Sequence, residues 1–229
     1  ILAPILLLTL LFPALAQGQS LNDWVGKGKG LLCETTGVGC PESVDFKDLV
    51  KRDGVYFKKR TDVPFTGKTT GDEQGVLEDG KRVGLWVRYY ENGQLSSKRT
   101  YKDGKRDGPW VRYRKNGKIY YKGTYKDGKR DGPWVGYFKN GKLDFKGTFK
   151  NGKEDGPWVG YNRDGKLDSK GTYKDGKEDG PYVGYHDNGQ LSYKGTYKDG
   201  KKDGPWVGYN RDGKLDYKGT YKDGKKDGP

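Results

Sequence analysis

The chain has 229 residues, of which 31% are hydrophobic and 14% aromatic, and it carries a formal net charge of +14. Globular domains usually contain about 45–50% apolar residues, so this composition excludes a domain built around one large core. The 18 Tyr and 6 Trp residues argue against a disordered chain, because disordered segments are poor in aromatic residues. A thin, elongated fold is therefore expected.

Residues 1–16 form an uncharged run that ends in Ala14-Leu15-Ala16. A membrane-spanning helix needs about 20 apolar residues, and small residues at the end of a shorter run are typical of signal-peptide cleavage. We predict a signal peptide cleaved after Ala16 and a periplasmic or secreted protein; the alternative is an uncleaved membrane anchor. No basic stretch precedes the run, and the last repeat stops at Pro229, so the sequence looks truncated at both ends.

Two cysteines, Cys33 and Cys40, lie in the N-terminal segment 17–52. An exported protein meets oxidants, so we expect a local disulfide between them, with two free thiols as the alternative. A metal site is not expected, because the chain has a single His.

A unit of 24 residues is repeated along most of the chain. Residues 77–229 contain the repeats, and residues 53–76 contain a degenerate copy that predicts a terminal cap. The clearest copies begin at Tyr101, Tyr125, Phe149, Tyr173, Tyr197 and Tyr221.

Each unit predicts two antiparallel strands. Residues 214–222 alternate apolar and polar side chains, and residues 205–210 form a second alternating segment. Pairs such as Asn116-Gly117 predict two-residue hairpin turns with positive φ, whereas Lys-Asp-Gly-Lys-x-Asp-Gly predicts a longer loop. We expect a Leu or Ile, a Val and two or three aromatic residues of each unit on the inner face. The predicted fold is all-β: an elongated, single-sheet array of tandem antiparallel β-hairpins.

The repeated pattern Gly-Lys-x-Asp-Gly-Pro-Trp-Val-x-Tyr-x-x-Asn-Gly resembles the MORN repeat variant of bacterial YwqK-type antitoxin proteins. The resemblance covers about residues 53–229. It implies an array of β-hairpins that binds or tethers other proteins and, for some MORN proteins, contacts membrane lipids. For the antitoxin members it implies neutralisation of a toxin.

No residue pattern predicts catalysis or a cofactor. His186 is the only His, and the equivalent positions of other repeats hold unrelated residues, so a solvated position before the turn is expected there. The aspartates of the loops could hold Ca²⁺, but neighbouring Lys and Arg residues argue against it. We therefore expect a protein that is not an enzyme. The residues equivalent to His186 are Tyr90, Arg114, Phe138, Asn162 and Asn210.

One large aromatic residue per repeat forms a row on the face opposite the Val residues. Each ring either fills a gap beside a glycine against a neighbouring strand or serves as a platform for a glycan or peptide. Successive rings would be about 9–10 Å apart, since strands lie about 4.8 Å apart. The row consists of Trp86, Trp110, Trp134, Trp158, Tyr182 and Trp206.

The positive charge is concentrated in residues 98–146, which hold 16 Lys or Arg and 5 Asp residues, a net charge of +11. Arg88, Arg112 and Arg114 are candidates for binding anionic partners; the alternative is a solvated face whose lysines prevent aggregation. Nucleic acid is not expected for an exported protein. We predict a non-catalytic protein of the cell envelope that binds or scaffolds a protein partner. The alternatives are binding of anionic lipid or cell-wall glycan, and an antitoxin role.

Overall fold

A computed structural model of the protein describes residues 42–228, which form strands and the turns between them. The predicted all-β class and the tandem hairpins are confirmed, since this part of the chain contains no α-helix. The signal peptide predicted at 1–16 and the Cys33–Cys40 disulfide lie outside the described residues.

The described residues form 21 strands and one 3-10 turn, Phe46–Asp48. Those before the regular repeats are β1 (Ser43–Asp45), β2 (Leu49–Arg52), β3 (Val55–Lys58), β4 (Gly67–Thr70) and β5 (Glu73–Glu78). The others are β6 (Lys81–Tyr89), β7 (Leu95–Lys102), β8 (Lys105–Tyr113), β9 (Ile119–Lys126), β10 (Lys129–Arg130), β11 (Gly132–Tyr137), β12 (Leu143–Lys150), β13 (Lys153–Tyr161), β14 (Leu167–Lys174), β15 (Lys177–Glu178), β16 (Gly180–Tyr185), β17 (Leu191–Lys198), β18 (Lys201–Lys202), β19 (Gly204–Tyr209), β20 (Leu215–Lys222) and β21 (Lys225–Lys226).

From β4 onward the strands pair with their neighbours in chain order, and every pairing between them is antiparallel. The sheet begins with β1, which pairs in parallel with β4, while β2 and β3 form a separate hairpin. Strands β10, β15 and β18 are the first parts of interrupted strands that continue as β11, β16 and β19. The result is one long, open sheet of consecutive hairpins.

The prediction of turn types was wrong: the two-residue turns and the longer turns lie at each other's predicted positions. Two-residue turns with positive φ at both residues lie inside the Lys-Asp-Gly-Lys segments, as at Asp127 (φ 49°) and Gly128 (φ 83°). At Asn116-Gly117 only the glycine has positive φ, and the Gly117 amide donates to the Arg114 carbonyl. This is a longer turn that ends in a bulge. We call the first kind the short turns and the second the long turns.

The register also corrects the predicted inner face. Trp206 lies directly opposite Gly219, whereas Val207 lies opposite Lys218. The Trp therefore shares a face with Tyr217 and Tyr221 of the partner strand, and the Val belongs to the lysine face. Two aromatic clusters make up the buried core on the tryptophan face. One centres on Phe65, Leu77, Trp86 and Tyr101, and the other on Trp110, Trp134 and Phe149.

Candidate functional site

In four repeats the tryptophan packs over a glycine of the preceding strand. Tyr182 packs over Gly171 in the same way, whereas Trp110 lies opposite Arg99. A Cβ atom at Gly123 would overlap the indole of Trp134, and Gly195 has the same relation to Trp206. The indole Nε1 of Trp134 donates to the Thr124 carbonyl at 3.1 Å, and Trp206 donates to the Thr196 carbonyl at 3.1 Å. The glycine is thus required by the ring above it, and the ring joins one repeat to the next.

Burial decides between the two interpretations of the aromatic row. Trp86 is 0% exposed, Trp134 and Trp206 are 1% exposed, and Trp110 is 7% exposed. These four rings cannot act as open platforms, so the interpretation in which each ring fills a gap is the one that the geometry supports. The remaining two members of the row, Trp158 and Tyr182, are half-buried.

From Trp134 onward, a glycine lies two residues after the aromatic residue of each repeat, and all but Gly160 of these glycines meet a ring of the next strand. A Cβ atom at Gly136 would overlap the ring of Phe145, and Gly208 has the same relation to Tyr217. The Phe145 ring then stacks on Trp158, with centroids 4.8 Å apart and an angle of 8° between the ring planes. This face therefore carries such a ring on most of the later strands, with Ser169 in its place on β14.

Arg114, one of the residues predicted to bind an anion, contacts a neighbouring repeat. Its Nη2 donates to the Tyr137 carbonyl at 2.8 Å, and its guanidinium lies 3.9 Å from the ring centroid of Tyr120. His186 occupies the equivalent position two repeats beyond Phe138, and its Nε2 lies 2.8 Å from the Tyr209 carbonyl. The position that looked solvated in the sequence therefore forms a contact between repeats.

Arg88 and Arg112 lie together, near a buried carboxylate. The side chain of Glu73 is 8% exposed and forms ion pairs with Arg82, with Arg99 at 3.1 Å and with Arg88 at 3.5 Å. Burial acts to lower the pKa of the Arg82 guanidinium, but Glu73 and two tyrosines outweigh it and the pKa is raised. Arg82 therefore stays charged.

A cavity of about 170 Å³ lies beside this cluster, between β6, β7 and β8. Arg99, Arg106 and Ser97 line it but were not singled out from the sequence. A departure from the repeat pattern could have indicated these residues. Arg99 stands at the position where later repeats have the glycine beneath the tryptophan. The complete lining is Arg88, Ser96, Ser97, Arg99, Arg106, Trp110 and Arg112.

The short turns lie along one edge of the sheet, and each places two lysines directly opposite each other. Lys126 faces Lys129, and Lys150 faces Lys153. We call this edge, with residues 102–107 and their equivalents in later repeats, the short-turn edge. The other lysine pairs are Lys102 with Lys105, Lys174 with Lys177, Lys198 with Lys201 and Lys222 with Lys225.

Aspartates of the short-turn edge accept hydrogen bonds from backbone amides of the next short turn. The Asp107 carboxylate accepts from the Asp127 amide at 3.2 Å, and Asp179 accepts from the Asp199 amide at 3.2 Å. This use explains the aspartates without Ca²⁺, and residues 42–228 contain no group of three or more His, Cys, Asp or Glu side chains suited to a metal ion. An open groove of about 740 Å³ separates the short turns at 127–128 and 151–152.

Comparison with known proteins places the repeats in one family. The model of the MORN repeat variant matches six consecutive segments, at residues 82–103, 106–127, 130–151, 154–175, 178–199 and 202–223, which together make up more than half of the chain. A search of curated proteins gives no match. Within residues 42–228 we find no helix with the length and apolar character needed to span a membrane. These repeats are consistent with a non-catalytic protein that binds partners or membranes. The chain belongs to the MORN repeat variant family.

Proposed function

We propose that this protein is a non-catalytic scaffold of the cell envelope that binds a partner protein through its short-turn edge. The observation that carries the proposal is the six pairs of lysines that face each other across the short turns. Like charges directly opposite each other destabilise a hairpin. The arrangement destabilises the hairpins and yet occurs six times, which supports a role for the lysines other than stabilising the fold.

A protein partner fits this edge better than a uniformly charged polymer does. Exposed Asp127 lies between Lys126 and Lys129, and most of the other short turns repeat this alternation of charge. An edge of mixed charge is complementary to a protein surface that is itself mixed, and such patterns provide specificity. The groove beside these turns is lined by Phe149 and Lys150 as well, so it offers apolar as well as charged contacts.

The envelope location rests on the uncharged run at residues 1–16, which supports export. Fractionation of cells that produce the chain with a C-terminal tag tests this directly. We expect the tagged protein in the periplasm, the medium or the membrane fraction, shortened by the predicted cleavage after Ala16. Recovery of the uncleaved chain in the cytoplasm would refute the proposed location.

Retention of partners from envelope extracts tests the binding role. Immobilised full chain is compared with the variant Lys126→Ala/Lys129→Ala and with the control Lys115→Ala/Lys139→Ala, which removes equal charge from exposed positions in the long turns. We expect one or a few proteins to be retained by the unaltered chain and the control, and about ten-fold less by the short-turn variant. Equal retention by both variants, or no retained protein, contradicts the proposal.

Anionic lipid is a second candidate, favoured by the net charge of +11 in residues 98–146. Sedimentation with vesicles that contain phosphatidylserine distinguishes it from a protein partner. Binding to lipid should weaken steeply between low and physiological salt, because exposed charges are screened over about 8 Å at 0.15 M.

An antitoxin role, suggested by the resemblance to YwqK-type proteins, is the case in which the protein partner is a toxin. It requires that the retained protein be toxic when it is produced without this chain. A retained protein that is harmless to the producing cell excludes this role and leaves the scaffold proposal standing.

A further inference from the structure

The cavity between β6, β7 and β8 lies where the repeat pattern changes: a serine replaces an aromatic ring, and arginines replace glycines. Ser97 stands where Tyr121, Phe145, Tyr193 and Tyr217 place an aromatic ring; Ser169 is the other serine at this position, but it lies opposite Gly160. Arg99 replaces the glycine beneath the tryptophan, and Arg88 and Arg112 replace the glycine that accepts the ring of the next strand. At Ser97 the aromatic layer is thus interrupted by a space lined with arginines. The glycines equivalent to Arg112 are Gly136, Gly160, Gly184 and Gly208.

In the described part of the chain, two residues that line this cavity each have a buried donor without a hydrogen-bond partner. The Nε1 of Trp110 and the Nε of Arg99 have no hydrogen-bond partner among the residues that the structure describes, although both residues are less than a tenth exposed. In Trp134 and Trp206 the same indole nitrogen donates to a carbonyl. A buried donor without an acceptor is costly, so the cavity favours a ligand that supplies acceptor atoms.

The side chains around the cavity carry an excess of positive charge, which also favours an anionic ligand. Among residues 42–228, Glu73 is the one carboxylate in ion-pair contact with this cluster, and it is shared among three arginines. Arg106 and Arg112 donate instead to the neutral hydroxyls of Tyr125 and Tyr121, at 3.2 Å and 3.3 Å. A bound anion of charge −2 would offset much of the remaining positive charge.

We propose that this cavity, the arginine pocket, binds a phosphate group. Arginine forks donate pairs of hydrogen bonds to phosphate oxygens, and the Ser97 hydroxyl adds a further donor. Phosphate is favoured over a carboxylate because it brings two charges and more acceptor oxygens to a site with surplus positive charge. A cavity of about 170 Å³ holds one such group. The group is either free phosphate or a phosphomonoester of a small solute.

Binding is measured by titration calorimetry of the full chain in a phosphate-free buffer at constant ionic strength. Inorganic phosphate should bind saturably to one site, and acetate should bind at least ten-fold more weakly. At about 100 times the dissociation constant, phosphate should raise the thermal midpoint by roughly 5–10 °C. Glycerol phosphate identifies the source: equal or tighter binding indicates an ester, and weaker binding indicates the free ion.

Three variants locate the site. Ser97→Tyr retains every arginine but introduces the ring that later repeats carry, and Arg112→Gly introduces their glycine, so both substitutions use residues that the chain itself accepts at equivalent positions. We expect each to weaken phosphate binding at least ten-fold. Arg163→Ala removes one positive charge from an exposed long turn and should leave binding unchanged.

A readout in the unaltered chain keeps the test independent of how well the variants fold. The NMR signal of the Trp110 indole N–H, assigned through Trp110→Phe, should shift as phosphate is added. Absence of saturable phosphate binding, an unshifted Trp110 signal, or native affinity in folded Ser97→Tyr would each overturn the proposal. Ser97, Trp110 and Arg112 lie outside residues 102–107 and the other short turns, so failure of phosphate binding would leave the proposed scaffold function intact.

Discussion

At the scale of single residues, most of the large aromatic rings pack against glycines that leave room for them. The sequence shows both elements, since a Trp and a Gly recur every 24 residues, but it does not show which glycine meets which ring. The glycine beneath Trp134 is Gly123, eleven residues earlier, and not Gly136, two residues later. Strand register decides this, and register depends on the turns that connect the strands.

We expect Gly123→Ala to destabilise the protein by about 1–3 kcal/mol, because the added methyl group overlaps the Trp134 indole in a packed core. Gly123 lacks positive φ, so backbone strain does not contribute. Without the overlap, the same change would stabilise by about 0.4–1 kcal/mol through the unfolded state. Urea denaturation measures the difference. Lys126→Ala, at an exposed position of the same strand, is the control and should change stability by less than about 0.5 kcal/mol. A stabilised Gly123→Ala would show that the ring lies elsewhere.

Tyrosine ionisation should weaken the later repeats at high pH. Burial, with a further contribution from Glu178, raises the pKa of both Tyr173 and Tyr197 from 10.0 to about 12. The folded state therefore holds these protons more tightly than the unfolded state does. The stability they contribute is complete below pH 10 and is lost as the pH rises through about 12.

Denaturation curves between pH 9 and 12 check this expectation. Tyr173→Phe/Tyr197→Phe should lose less stability over that range than the unaltered chain. Tyr101 provides the contrast, because its pKa is lowered: burial acts to raise it, but Arg99 and Arg82 outweigh burial. Tyr101→Phe should therefore make the loss steeper. An identical pH dependence in all three proteins would exclude these pKa shifts.

At the scale of strands and turns, hairpins were predictable but the type of each turn was not. Asn-Gly and Asp-Gly pairs both suit a two-residue turn, and every complete unit has one of these pairs at each of its two turns. The structure assigns the two-residue turn to the Lys-x-Gly-Lys segments, where Asp127 or Asn151 adopts positive φ. Alternation within a strand likewise separates Val207 from Trp206, but only the cross-strand pairs show that the tryptophan joins the tyrosine face.

The residues of the proposed arginine pocket were harder to predict than the fold for a related reason. A repeat pattern draws attention to residues that recur, and recurrence here marks positions that hold neighbouring repeats together, such as that of Trp134. The position of Arg114 and His186 also joins neighbouring repeats, although its residue type varies. The arginine pocket consists instead of departures from the repeat, at Ser97 and Arg99. Its geometry becomes visible only when three strands are aligned in register.

The aspartates that link successive short turns should contribute measurably to stability. We expect Asp179→Ala to destabilise by about 0.5–1.5 kcal/mol, because the Asp199 amide loses its acceptor. Asp179→Asn retains an acceptor oxygen and should recover most of the loss. Thermal unfolding at two salt concentrations separates the hydrogen bond from general charge effects. Equal losses in the two variants would show that the charge of Asp179, rather than its hydrogen bond, matters.

At the scale of the whole described sheet, stability should accumulate from one repeat to the next. Each hairpin buries little surface by itself, and its rings are completed by the neighbouring repeat. Backbone bonds reinforce this dependence: the amide of Gly128 donates to the Arg106 carbonyl at 2.7 Å, and the amide of Gly152 donates to the Arg130 carbonyl at 2.8 Å. The same bond recurs at each later short turn. Consecutive hairpins are therefore linked at the short-turn edge as well as through their strands.

Amide hydrogen exchange of the full chain, measured residue by residue with NMR, tests this linkage most directly. The informative amides are those of Gly104, Gly128, Gly152, Gly176, Gly200 and Gly224, each of which donates to the preceding repeat. We predict that they exchange as slowly as strand amides, and more slowly than Gly117, Gly141 and Gly165, whose bonds close only their own turns. Short-turn glycines that exchange as fast as the long-turn glycines would contradict the account, because the hairpins would then not be tied to one another at this edge.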